Sequence, residues 1–98
     1  MVALDDVKAA VGEIVHAMLP SVAIIRVDAQ DRADSDGQRS LVITVIIDRR
    51  PLDPRRFARI SNGIVNQLRG WLTGHDDDRF PYFDILTEQD EKELRDAG

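Results

Sequence analysis

The chain contains no cysteine, which removes disulfides, thiolate nucleophiles and thiolate metal sites together. Small secreted domains usually depend on such staples, so a cytoplasmic setting is expected. Aromatic residues are scarce, with three phenylalanines, one tyrosine and one tryptophan. Aliphatic side chains must therefore supply most of the core. Long apolar runs are lacking too. The longest covers residues 41–47 and is interrupted by Thr44, far below the roughly 20 residues of a membrane helix, so no membrane span is expected. The opening residues 1–6 have no basic start followed by an apolar run, and no signal peptide is expected there. Phosphate loop, dinucleotide fingerprint and nucleophile elbow are all missing. Neither an enzymatic activity nor a cofactor is expected.

Histidines are few as well. His16 projects from the first helical segment opposite its apolar stripe and is expected to face solvent. His75 opens the run His75-Asp76-Asp77-Asp78. Successive residues do not converge on one ion without an unusual loop, so this reads as a solvated turn and no metal site is expected. The fragment Asp34-Ser35-Asp36-Gly37 resembles part of a calcium loop, but Arg32 and Ile43 stand where the first and last ligands would be.

What is present suits one small domain: 98 residues, 43% hydrophobic and 32% charged. Leu4, Val7, Val11, Ile14, Val15 and Met18 repeat at helical spacing, with Asp5 or Asp6 as the expected N-cap and Pro20 as the stop. Residues 22–29 and 41–48 read as strands joined by a polar loop with turn residues at 34–37. Asp53-Pro54 starts a second helix, buried through Phe57, Ile60, Ile64, Leu68 and Trp71, with Gly74 as its expected C-cap. Residues 80–86 form a third strand, where Pro81 points to an edge or a strand start. Thr87 caps a short last helix. The expected fold is α+β: a two-layer α/β sandwich in the order α-β-β-α-β-α, its three-stranded mixed sheet carrying two long helices on one face.

Alternation along the strands gives two apolar sets. Ala23, Ile25, Val27, Leu41, Ile43, Val45, Ile47, Phe83 and Ile85 are expected beneath the helices. Val22, Ile24, Val42, Ile46, Phe80 and Tyr82 are left for the opposite face. Covering each such side chain is worth roughly 1.5–3 kcal/mol. Either the last helix folds beneath the sheet, or a protein partner, most simply a second copy in a homodimer, covers that face. A one-residue error in register would swap the sets. The leading expectation is a non-enzymatic interaction module that self-associates or docks through this face.

Charge is segregated along the chain. Residues 49–73 hold six arginines against Asp53, a balance of +5, between segments of −4 and −6, which sum to the net −5. Arg55, Arg59, Asn62, Asn66 and Arg69 fall on one line of the second helix, with Arg49 and Arg50 at its entrance. Such donors suit phosphates or carboxylates, and an RNA- or ribosome-associated factor is the alternative expectation. The plain reading of the same stripe is a solvated helix back. Eleven arginines to two lysines make arginine this chain's default cation, and no aromatics are interleaved along the line. Residues 22–68, and especially Phe57-Ala58-Arg59-Ile60-Ser61, resemble the N-terminal domain of ribosome maturation factors. The serine-proline-glycine segment which that resemblance implies after the third strand is replaced by Leu86-Thr87-Glu88-Gln89, and no Gly-x-x-Gly loop of a K-homology domain is present.

Overall fold

A computed structural model describes residues 1–33, 35–51 and 53–97. Six elements follow one another: α1 (Leu4–Met18), β1 (Ile24–Ala33), β2 (Arg39–Ile47), α2 (Pro54–Gly74), β3 (Phe80–Thr87) and α3 (Glu88–Ala97). This is the expected α+β order. β2 is central, antiparallel to β1 and parallel to β3. A short link suffices for the first pairing, whereas parallel pairing needs a crossover, which α2 provides.

One face of the sheet carries the core. Leu41, Ile43, Val45 and Ile47 of β2 are flanked by Val27 and Ala29 of β1 and by Phe83 and Ile85 of β3. Val7, Val11 and Val15 of α1 and Ile64, Leu68 and Leu72 of α2 close over them. The three- and four-residue spacings in both helices place these side chains on single stripes, which is why two helices suffice for one face. Among the described residues, no helix is long and apolar enough to cross a membrane.

Asp53 caps α2 as expected, accepting from the amides of Arg55 and Arg56 at 3.0 and 3.4 Å, with Pro54 in the first turn. Two other caps differ. α1 starts after Ala3 without a side-chain cap, and Asp5 and Asp6 sit inside its first turn, where their charge still meets the positive end of the dipole. α2 runs through Gly74 to a cap at His75, and Asp76 takes the left-handed conformation at φ 55°, which aspartate tolerates better than most residues. Both hairpin strands extend further toward the loop than residues 22–29 and 41–48 imply. Gly37, at φ 78°, turns that loop; Asp34, the first residue of the expected turn, lies outside the described residues.

The largest departure is in β1. Its register against β2 shifts between Ile24 and Arg26, so Ile25 is one extra residue on that strand. A bulge inverts the face of everything upstream of it. Val22 and Ile24, expected on the outer face, therefore join the core beneath the helices. Ile25, expected inside, is 49% exposed, and Ala23 is exposed as well.

Candidate functional site

The outer face of the sheet consists of four cross-strand rows: Arg32–Ser40–Phe80, Gln30–Val42–Tyr82, Asp28–Thr44–Asp84 and Arg26–Ile46–Leu86. The β1 positions of these rows are polar, while the bulged Ile25 next to Arg26 is an exposed apolar residue of that strand. Ile46 is fully buried although it lies on this face. The reason is α3, which contacts both β3 and β2. Its Glu91 binds Arg26, the cross-strand partner of Ile46, through both guanidinium amines. Thus, of the six residues expected on an uncovered face, Val22 and Ile24 belong to the core and Ile46 is sealed by the chain's own last helix. Val42, Phe80 and Tyr82 remain. Phe80 and Tyr82 are 48% and 47% exposed, and their ring centroids lie 5.0 Å apart.

α2 positions the arginines. Arg55, Arg59, Asn62, Asn66 and Arg69 all lie exposed along its solvent side, as the spacing requires. The helix contains no aspartate or glutamate. Among the described residues, Arg55, Arg56, Arg59 and Arg69 have no carboxylate within ion-pair distance. Arg69 leans over the β3 edge, its guanidinium 5.7 Å from the centre of the Phe80 ring. The helical line of cations therefore continues onto the exposed aromatic pair of the sheet.

Arg49 and Arg50 are engaged within the fold instead. Arg49 donates to the Ser21 carbonyl at 2.8 Å and pairs with Asp48. Arg50 lies over the Phe57 ring at 5.8 Å and donates to Asp90 at 2.7 and 3.2 Å. These two bridge segments of the chain and are not part of the open stripe.

A second charged cluster lies at the opposite end of the sheet. Arg79 and Asp77 are both buried and joined by bonds of 2.6 to 3.2 Å. Together they clasp Val2: its amide donates to Asp77 at 3.1 Å and its carbonyl accepts from Arg79 at 2.7 Å. Asp31 of β1 adds a contact to Arg79 at 3.5 Å. The hydrogen-bonded Arg79 guanidinium holds the Asp77 carboxyl well below the usual carboxylate range. This arrangement separates Asp77 from Asp76 and Asp78, which stay exposed. Among the described residues, no group of three or more histidines or carboxylates is placed to hold a metal ion.

A groove of about 680 Å³ runs between the end of α1 and the start of α2, lined by Met18, Leu19, Val22, Arg49, Arg56 and Ile60 among others. Asp53 is the carboxylate among its described lining residues, and its oxygen is committed to the α2 cap. Among its described lining residues there is no acid–base pair. Comparison with models of known families, with curated proteins and with solved structures yields no match to this chain. The resemblance of residues 22–68 to ribosome maturation factors is therefore not carried to a family.

Two features escaped the sequence. The Phe80–Tyr82 pair was legible as two residues on one strand face, but its approach to Arg69 depends on how the crossover seats α2 against β3. The buried Asp77–Arg79 clasp gave no signal, because its local sequence is that of a solvated acidic turn.

Proposed function

We propose that the chain is a non-enzymatic docking module that seats an acidic protein surface against the α2 arginines, with Phe80 and Tyr82 as its anchors. The observation that carries this reading is the junction of the two halves at Arg69: a helix face without carboxylates meets two half-exposed aromatic rings. Arginine and aromatic side chains dominate the binding energy of protein interfaces. Neither group has a task inside the fold that demands exposure.

The sheet face alone is a weaker basis for a homodimer. Its two aromatics offer roughly half of 150–250 Å² each, against about 800 Å² per partner in a typical stable interface. Extension across Arg69 to Arg59 and Arg55 adds exposed surface, and complementary charge there steers an acidic partner.

The test is capture from an extract of the native host with the full chain and with a variant carrying Arg69→Ala, Phe80→Ala and Tyr82→Ala. A protein retained by the parent, lost with the triple variant and insensitive to nuclease supports the reading. Equal retention by both chains refutes it.

RNA is the second reading, favoured by two exposed rings beside a cation, an arrangement that suits unpaired bases. Asp84 in the next row and Asp78 before β3 oppose a polyanion at that end. Binding of single-stranded poly(U) that falls steeply with salt and is abolished by Arg55→Glu with Arg59→Glu would favour RNA over protein.

A further inference from the structure

We propose that the seat now filled by α3 on the outer sheet face is a second docking site, and that its occupant is an acidic amphipathic helix of a partner protein which displaces α3. This seat lies at the Ile46–Leu86 end of β2 and β3, opposite the Ser40–Phe80 end. It does not depend on the reading given above.

What α3 covers and how it is held do not match. It covers an aliphatic patch, for Ile46 is wholly buried and Leu86 half-buried. Yet α3 itself has ten residues and buries none of them. Its one large apolar side chain, Leu94, is 62% exposed. A helix shorter than about 12–15 residues has little stability of its own in water. Its attachments are polar: Glu91 to Arg26, Asp90 to Arg50, and a reciprocal cap between Thr87 and Asp90 at 3.1 Å in each direction. The two arginines are about half exposed, where ion pairs contribute little and salt screens them.

The seat thus asks for two things, adjacent carboxylates for Arg26 and Arg50 and apolar side chains for Ile46 and Leu86. α3 meets the first and barely the second. A partner helix with the same carboxylates and an apolar stripe meets both, and charge complementarity makes the occupant acidic.

The absence of cysteine gives a direct test on the full chain. Ile46→Cys places a single thiol under α3, and its reaction with a disulfide reagent reports uncovering; Val42→Cys, in the open part of the same face, serves as the reference. The thiol at position 46 is expected to react at least ten-fold faster in 1 M NaCl, and likewise when Asp90→Ala and Glu91→Ala are added at low salt. The reference thiol should change less than two-fold. In the latter variant, a peptide of residues 86–98 with leucine in place of Ala97 is expected to restore at least ten-fold protection at low salt. The same peptide with lysine at positions 90 and 91 should not. Position 46 reacting equally with and without the ion pairs overturns the proposal, as does equal protection by the two peptides. Protection that rises with protein concentration in the absence of peptide makes the occupant a second copy, and also overturns it.

Discussion

At one end of the sheet Asp77 and Arg79 hold the N-terminal residues; at the other Arg26 and Arg50 hold the C-terminal helix. Both devices pair arginine with carboxylate and tie a terminal segment to the body, Val2 by Asp77 and Arg79 and α3 by Arg26 and Arg50. They differ in burial. Asp77 and Arg79 show almost no side-chain surface, and every hydrogen-bonding oxygen of Asp77 is occupied. Arg26 and Arg50 remain about half exposed. The same chemistry therefore gives a buried clasp at one end and a solvent-exposed one at the other, and removal from water turns a weak attraction into a strong mutual dependence.

Unmatched substitutions separate the two clasps by size of effect. Asp77→Ala should produce the largest effect, a loss of about 3–5 kcal/mol in urea unfolding, because it strands the buried Arg79 charge. If the loss is below about 1 kcal/mol, the clasp is not a buried pair in solution.

Acid sharpens the contrast. Asp77 has a depressed carboxyl in the folded chain, owing first to its hydrogen bond with Arg79. Its contribution is then complete above the unfolded carboxylate value near 4 and declines as pH falls toward the folded value. Urea midpoints measured from pH 7 down to pH 2 should fall more steeply in the parent than in Asp77→Asn, and the two curves should converge at the acid end. Parallel curves would contradict the assignment.

The C-terminal clasp should yield less. Glu91→Ala or Arg26→Ala should lower the urea midpoint far less than Asp77→Ala does, and the difference should shrink further in 1 M NaCl. A salt-independent loss of several kcal/mol would mean that α3 is held by packing. Smallest of all, Arg59→Glu should leave stability within about 0.5 kcal/mol, since Arg59 is exposed and has no carboxylate partner among the described residues. A larger change would show that the open stripe has a structural task.

The outer face illustrates how far pattern reading reaches. Alternation in β2 and β3 gave the correct face for Val42, Ile46, Phe80 and Tyr82, because neither strand is interrupted. In β1 the same rule placed Val22 and Ile24 on the wrong side, for a single bulged residue reverses parity and leaves no mark on composition. The arginine line was legible as a line, since it lies within one helix. That Arg49 and Arg50 are used inside the fold was not, because Ser21 and Asp90 are distant in sequence. The possibility that the last helix folds beneath the sheet, present in the sequence as one of two options, is realised at the Ile46 end only.

Local order, then, was written in the chain: helical stripes, the Asp53 cap, the turn glycine and the order α-β-β-α-β-α all arise from residues within a few positions of one another. What tertiary structure decided were relations between distant segments: the bulge that moved Val22 and Ile24 inward, the cover over Ile46, the meeting of Arg69 with Phe80 and the burial of Asp77. Those depend on which surfaces exclude water together, a property of the packed chain that no short window of sequence contains.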